Sequence, residues 1–151
     1  MKKTYKDYVF VGIQFLLFAV YLYPRRMFSF HSLNSLTALG AITTILGGIL
    51  LAMAIIQLNT NLSPYPSPKS SASLVKTGLY KFIRHPIYTG IILLLSGYAF
   101  YDSSGFKLLV ASLLTILFYF KSQYEEKKLS SHYNDYLEYK KTTGRFFPKF
   151  F

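Results

Sequence analysis

Long stretches without a charged side chain constrain this chain more than any other feature of its sequence. Four such stretches lack Asp, Glu, Lys and Arg: residues 8–24, 27–68, 86–101 and 108–120. A membrane-spanning helix needs roughly 20 apolar residues, and interfacial tyrosines or snorkelling lysines extend a shorter one. The sequence therefore predicts four transmembrane helices, over residues 8–24, 34–58, 87–101 and 106–122. Because the fourth is short, it is either tilted with Lys107 and Lys121 snorkelling, or joined to the third in a tight hairpin.

The composition supports a membrane protein and excludes several other classes. Of the 151 residues, 52% are hydrophobic and only 15% are charged, against roughly 25% charged in soluble domains. A disordered chain has fewer apolar groups, and a small soluble globule cannot hide so many. Buried helices of a soluble core stay an alternative for the third and fourth segments. The absence of cysteine excludes disulfides, cysteine-ligated zinc and thiol catalysis. We therefore expect an all-α, multi-pass membrane protein whose residues 1–151 form a single membrane-embedded domain.

The basic residues predict the orientation of the chain. With four spans, both termini and the loop 59–86 lie on one side, which then carries 14 of the 17 basic residues. Lysine and arginine concentrate on the cytosolic side of membrane proteins. We therefore expect both termini and this loop in the cytosol, in the cell membrane of a prokaryote. Orientation and contact with the lipid bilayer and its anionic headgroups explain the net charge of +11 without a nucleic-acid partner.

The long cytosolic loop carries two signals. Residues 61–73 hold three prolines and five serines, which predicts an extended, irregular segment. Pro86 suits the first turn of the third helix and requires an extended His85 before it. The sequence therefore places Arg84 and His85 at the cytosolic mouth of that helix.

The C-terminal region is expected to continue into the cytosol as a helix over residues 121–139. Four of its residues could form an apolar stripe at helical spacing: Leu129, Tyr133, Tyr136 and Leu137. Gly144 interrupts the region, and an aromatic and basic tail follows it. This tail either lies on the membrane surface or closes over the cytosolic loop.

Few chemical motifs are available. The sequence has no glycine-rich dinucleotide motif and no phosphate-binding loop. Its three histidines are far apart, with no second ligand near any of them, so we expect no metal site. What remains is Arg84-His85-Pro86 with Tyr88, and one pair of adjacent acids, Glu125 and Glu126. These residues are either interfacial anchors and a solvated face paired with lysines, or parts of a site at the cytosolic surface.

The spacing of these residues resembles a known family. The pattern is Gly78-x-Tyr80-x3-Arg84-His85-Pro86-x-Tyr88-x-Gly90, then Glu125-Glu126-x2-Leu129, then Tyr136-x2-Tyr139 and a basic, aromatic and proline-containing ending. Over residues 58–148 it is similar to the isoprenylcysteine carboxyl methyltransferase family, which groups with phospholipid N-methyltransferases. The first two spans match only as hydrophobic segments.

The resemblance implies a multi-span membrane methyltransferase that uses S-adenosylmethionine and methylates a lipophilic, membrane-borne acceptor. The implied cofactor-binding residues are Leu74, Val75, Tyr80, His85, Pro86, Ile87, Tyr88 and one of Glu125 and Glu126, between which the spacing does not decide. The implied catalytic residues are Arg84, Lys121 and Glu125, with Arg84 or Lys121 attracting an anionic acceptor. The chain departs from the family at Lys121, where arginine is commoner, and at Ala72, where many relatives carry histidine.

Two other functions stay open on the sequence alone. One is a non-catalytic membrane protein that binds lipid or packs against a partner. The other is a sterol-reductase-like membrane enzyme with a nicotinamide cofactor. The sequence does not indicate whether the methylated atom of the acceptor is O, N or S.

Overall fold

The protein is all-helical in the parts that the computed structural model describes, which are residues 3–23, 28–30, 33–68 and 72–149. Five α-helices follow one another: α1 (Tyr5–Leu22), α2 (Asn34–Leu58), α3 (Pro86–Tyr101), α4 (Gly105–His132) and α5 (Tyr136–Thr142). Short 3-10 turns cover Asn59–Asn61 and Gly78–Lys81. The described residues contain two isolated β-bridges and no strand. The predicted fold class is confirmed.

Three of the helices are long and apolar enough to cross a membrane: α1, α2 and α4. The third predicted span is a shorter apolar helix of 16 residues, which corresponds to about 24 Å at 1.5 Å per residue. Pro86 sits in its first turn, as predicted, and the turn at Asp102 ends it. The fourth helix is much longer than its apolar segment, because its polar continuation stays helical to His132.

Glycines bring α2 and α3 into close contact along their length. A Cβ atom added at Gly90 would lie 2.7 Å from the backbone nitrogen of Leu51, and one at Gly97 would lie 2.6 Å from that of Thr44. Gly40 is equally confined, since a Cβ there would approach the backbone of Tyr101 within 2.6 Å. Small residues at such positions allow membrane helices to pack backbone against backbone. This pairing gives the site a rigid wall.

The third and fourth helices form the tight hairpin, and α1 packs on α4. Ser104 begins α4 by accepting a hydrogen bond from the backbone of Lys107. The apolar core between α1 and the hairpin contains Tyr21, whose hydroxyl donates to the carbonyl of Leu95 at 2.7 Å, and Phe118. The sequence allowed either a tilted fourth helix or a hairpin with the third, and the structure shows the hairpin.

The predicted continuous helix over 121–139 is wrong. The helix α4 ends at His132, Tyr133 is extended, and α5 begins at Tyr136. Asn134 and Asp135 lie in the break, where their short polar side chains favour turns over helix. The break also separates the predicted stripe, since Tyr136 is buried while Leu137 is 60% exposed.

The tail closes over the end of the loop 59–86, which was one of the two expected arrangements. The backbone N–H groups of Arg84 and His85 donate to the carbonyls of Gly144 and Arg145 at 2.9 and 3.1 Å. The backbone N–H of Gly144 donates back to Phe82 at 3.1 Å. The segment before α3 is thereby fixed from its outer side. Several charges used for the predicted orientation lie outside the described residues: Lys2, Arg25, Arg26 and Lys69.

Candidate functional site

A cavity of about 400 Å³ lies among the helices, with Gln14 of α1 on one side and the C-terminal part of α2 on the other. Its walls are the proline-rich loop, the segment 72–75, the beginning of α3 and one face of α4. Hydrophobic and aromatic side chains predominate, with a few polar groups among them. A volume of roughly 300–1,000 Å³ and this kind of lining are typical of small-molecule sites.

The cavity brings together nearly all of the residues singled out in the sequence. Those that line it are Leu74, Val75, Tyr80, Arg84, His85, Pro86, Ile87, Tyr88, Lys121 and Glu125. Glu126 is the exception. The segments that supply these residues lie far apart in the chain, so their convergence comes from the fold. Among the described residues, no group of three or more His, Cys, Asp or Glu is arranged to hold a metal ion.

Glu125 faces the cavity with few partners. It accepts a hydrogen bond from the Tyr88 hydroxyl at 2.8 Å, and its carboxylate lies 3.8 Å from Nδ1 of His85. Its side chain keeps 24% of its exposure. Most of its hydrogen-bonding capacity is therefore open to a ligand.

Glu126 points into a cluster of cations behind the cavity. Its carboxylate accepts hydrogen bonds from Nε of Arg84 at 3.0 Å and from Arg145 at 3.1 and 3.2 Å. The Lys140 ammonium lies 3.0 Å away. Nε2 of His85 is 3.4 Å from the carboxylate without the alignment of a hydrogen bond. Since only 2% of this side chain is exposed, it is a structural group rather than a wall of the cavity.

The first residues of α3 are held by ring stacking. The Tyr88 ring lies parallel to Phe118 at 4.6 Å and to His85 at 5.3 Å between centroids. Thr89 ties the same turn to the tail, because its hydroxyl donates to the Phe146 carbonyl at 2.9 Å. This stack and the tail fix the Tyr88 hydroxyl against Glu125.

Lys121 does not snorkel, contrary to one of the two expectations for the fourth segment. Only 1% of it is exposed, and its ammonium donates to Oε1 of Gln14 at 2.5 Å and to the Pro64 carbonyl at 2.8 Å. Lys121 therefore turns inward, toward α1 and the proline-rich loop. Gln14 was missed in the sequence, although it is the one amide in the otherwise apolar first segment.

The proline-rich loop is fastened over the cavity by Asp7, which is fully buried. Its carboxylate accepts hydrogen bonds from the backbone N–H of Ser67 at 3.1 Å and from the Ser67 hydroxyl at 2.7 Å. The Lys128 ammonium donates to both Ser67, at 2.7 Å, and Asp7, at 3.3 Å. Sequence reasoning missed Asp7, because nothing near it in the chain indicates a partner 60 residues away.

A turn at Gly78 presents Tyr80 to the cavity. Gly78 adopts a φ of 60°, a left-handed conformation that favours glycine, and the next backbone N–H donates to Oε1 of Gln57 at 2.8 Å. The Tyr80 carbonyl accepts a hydrogen bond from the Tyr139 hydroxyl at 2.6 Å. Burial raises the pKa of Tyr139 to about 12 and raises the pKa of Tyr80 as well, so both phenols stay protonated at neutral pH.

Comparison with known protein families gives a match. A family model described as phospholipid methyltransferase matches residues 35–136, from the start of α2 to the start of α5. The matched region includes every residue that the sequence singled out for the site. It leaves out α1, which supplies Asp7 and Gln14, and the tail with Arg145. No curated protein matches the chain.

Proposed function

The chain belongs to the phospholipid methyltransferase family, integral membrane methyltransferases that include the isoprenylcysteine carboxyl methyltransferases, and on this premise we propose its reaction. The protein transfers the methyl group of S-adenosylmethionine to a lipophilic acceptor at the cytosolic face of the membrane. One observation carries this proposal. A single cavity is lined by the segment 72–75, by the turn from His85 to Tyr88 and by Glu125. Together they offer the apolar, aromatic and acidic side chains that a charged nucleoside cofactor requires.

The residues present fit this cofactor. The cavity combines flat aromatic and aliphatic walls for the adenosine part with an available carboxylate for the donor groups of the ligand. The buried hydroxyl of Tyr136, which has no hydrogen-bond partner in the described part of the chain, adds a free polar atom. When bound, the cofactor supplies a methyl group on a sulfonium, ready for in-line displacement.

We assign the cofactor roles to the residues that line the cavity. Glu125 accepts hydrogen bonds from the ribose hydroxyls or the ammonium group. Leu74, Val75 and Ile87 cover the apolar surface of the nucleoside, and His85 and Tyr80 bind its polar edges. Because methyl transfer depends chiefly on alignment and on exclusion of water, the loop held by Asp7 contributes by closing the site.

Lys121 is the better candidate to attract an anionic acceptor. Its hydrogen bonds go to two neutral oxygens, and no carboxylate in the described part of the chain lies within ion-pair distance of it. The Arg84 guanidinium, in contrast, is bonded to Glu126 and to the carbonyls of Thr143 and Lys140. We therefore assign Arg84 a positioning role and Lys121 the contact with the acceptor.

The packing of the helices supports access from the bilayer. The hairpin of α3 and α4 joins α1, which packs on α4, to α2, which packs on α3, and the cavity has α1 and α2 on its two sides. Its lining includes Gln14 from α1 and Leu51 and Ile55 from α2. An acyl or prenyl chain fits between these helices, with its head group toward Lys121.

The charges support a cytosolic orientation of the site. Thr4 donates to or accepts from the Tyr124 hydroxyl at 2.7 Å, and Asp7 binds Ser67, so the start of α1, the loop and the end of α4 share one end of the bundle. That end carries most of the basic residues, which favours the cytosol. The cofactor is a polar cytosolic metabolite, so its site faces the same side.

Ligand-induced stabilisation of the detergent-purified protein tests the cofactor. S-adenosylhomocysteine should raise the melting temperature by an amount that grows with its concentration, and NADPH should not. A shift with NADPH alone would favour a reductase, and a shift with neither ligand would favour a non-catalytic membrane protein.

Transfer of label tests the acceptor. Membranes that contain the protein are incubated with methyl-labelled S-adenosylmethionine and divided into lipid and protein fractions, beside membranes that lack it. Label in the lipid fraction supports a lipid acceptor, and label in the protein fraction supports a prenylated protein. Equal labelling with and without the chain would contradict the proposed reaction.

A further inference from the structure

Three tyrosines approach the cavity from the end of α4 and from α5, and they differ in what their hydroxyl groups contact. The Tyr133 hydroxyl donates to the carbonyl of Ala72 at 2.7 Å, and the Tyr139 hydroxyl donates to that of Tyr80 at 2.6 Å. Both therefore brace the walls of the cavity. The Tyr136 hydroxyl has no hydrogen-bond partner in the described part of the chain.

Tyr136 is among the most deeply buried large side chains in the described part of the chain. Only 1% of it is exposed, and it lines the same cavity as Glu125. Buried hydroxyl groups nearly always find a partner, because burial without one costs free energy. A phenylalanine would fill this position without that cost. A buried, unpaired hydroxyl at the wall of a cavity therefore indicates a partner that arrives with a ligand.

The groups around the Tyr136 hydroxyl indicate what kind of ligand atom it can bind. Arg84, Glu125 and Glu126 lie close enough to influence its ionisation. Burial raises the pKa of Tyr136 far above neutrality, so the phenol keeps its proton and can donate. Glu125 can only accept. The two side chains together therefore suit a ligand that presents an acceptor and a donor near each other.

We infer that the Tyr136 hydroxyl donates a hydrogen bond to the S-adenosyl cofactor, which makes Tyr136 a cofactor-binding residue paired with Glu125. This inference rests on the proposed function. Two parts of the cofactor present neighbouring donors and acceptors, the ribose diol and the ammonium and carboxylate groups of the amino-acid end. The experiment below distinguishes them.

The test is Tyr136→Phe, measured by titration calorimetry with S-adenosylhomocysteine. The substitution removes an oxygen atom that the protein does not use, so the melting temperature without ligand should stay the same or rise. The dissociation constant should increase about 5- to 10-fold, as expected for one hydrogen bond. Tyr21→Phe is the matched control, because it removes a buried hydroxyl that is bonded within the protein, to the Leu95 carbonyl, and Tyr21 does not line the cavity. It should lower the melting temperature and leave the dissociation constant within about twofold.

A second ligand identifies the bonded atoms. 5′-Methylthioadenosine keeps the ribose and lacks the amino-acid end. If the difference between wild type and Tyr136→Phe persists with it, the bond is to the ribose; if the difference vanishes, the bond is to the amino-acid end. Equal affinity of the two proteins for S-adenosylhomocysteine would overturn the inference and leave the proposed function intact. Absence of binding to the wild type would instead overturn the proposed function, and this inference with it.

Discussion

Glu125 and Glu126 are neighbours in the chain and belong to two different regions of the molecule. Successive residues of a helix point about 100° apart, so one carboxylate enters the cavity and the other enters the cation cluster behind it. Glu126 is surrounded by Arg84, Arg145 and Lys140, whereas Glu125 has a single hydrogen bond, from Tyr88. The carboxylate of Glu126 is paired with cations of the protein, whereas that of Glu125 is available to a ligand.

The difference teaches how the site is built. The cluster around Glu126 ties together three elements that are distant in sequence: the segment before α3, α5 and the tail. Its function is to hold Arg84 and His85 in place at the back of the cavity. Because this cluster already holds the back of the cavity, the face of α4 that carries Glu125 needs no further contacts within the protein. Loss of the Glu126 charge should therefore destabilise the fold, and loss of the Glu125 charge should weaken binding of the cofactor.

The largest effect is expected for Glu126→Gln. Removal of one partner from a buried ion pair leaves the others without a counter-charge, which costs roughly 3–5 kcal/mol. We expect about 3 kcal/mol, at the lower end of that range, because Lys140 is 43% exposed and water can compensate part of the loss. The measurement is thermal or denaturant unfolding in detergent. The matched control is Glu138→Gln, whose carboxylate meets only Lys141 at the surface and should not matter. Equal stability of the two variants would remove the structural role of Glu126.

A substitution at the contact of α2 with α3 shows what a packing defect does without any change of charge. Gly90→Ala places a methyl group 2.7 Å from the backbone of Leu51, and overpacking of this kind costs roughly 1–3 kcal/mol. Gly48→Ala is the control on the same pair of helices, because its methyl group would meet only a side-chain atom of Leu94 at 3.7 Å. We expect Gly90→Ala to lower the melting temperature and Gly48→Ala to leave it unchanged. If both behave alike, the close contact of α2 and α3 does not limit stability.

Glu125→Gln should reverse the pattern of Glu126→Gln. Glutamine keeps an oxygen that can accept from the Tyr88 hydroxyl, so the melting temperature without ligand should stay close to that of the wild type. The affinity for S-adenosylhomocysteine should fall roughly 10- to 100-fold, because a hydrogen bond to a charged group is worth about 1.5–3 kcal/mol. Titration calorimetry on both glutamine variants checks this. Unchanged affinity in Glu125→Gln would contradict the role of Glu125.

Much of the fold follows from signals that lie within short segments. Apolar length predicts the helices, and Pro86 predicts where α3 begins. Residue spacing also predicted the family, and nearly all of the site residues that it implied line the cavity. Each of these signals concerns neighbours along the chain or a pattern in one segment.

The rest depends on contacts between distant segments. Lys121 is buried because Gln14, 107 residues earlier in the chain, accepts a hydrogen bond from its ammonium group. The choice between Glu125 and Glu126 depends on where Arg145 returns after the break at residues 133–135. Asn134 and Asp135 are a local signal for the break. The helical spacing of apolar residues on both sides of them instead predicts one continuous helix. Such contacts become visible only when the elements are assembled.

The smallest effect is expected at the surface, for Asp135→Asn. The Asp135 carboxylate forms an ion pair with Lys76, and this hydrogen bond holds the pKa of Asp135 below its ordinary value. A carboxylate with a lowered pKa contributes stability above its unfolded pKa and loses it as the pH falls through its folded pKa. Asn is also a good N-cap for α5. We therefore expect a small drop in melting temperature at pH 7, which disappears at acidic pH.

High salt should reduce the same drop, since screening weakens exposed pairs far more than buried ones. Both partners are well exposed, Asp135 at 58% and Lys76 at 39%. Glu126→Gln, in contrast, should destabilise the protein to a similar extent at low and high salt. Melting curves of both variants at two salt concentrations make this comparison directly. If Asp135→Asn costs as much as Glu126→Gln, and is equally insensitive to salt, then burial does not distinguish the two carboxylates and the division of the molecule into a satisfied cluster and an open face is wrong.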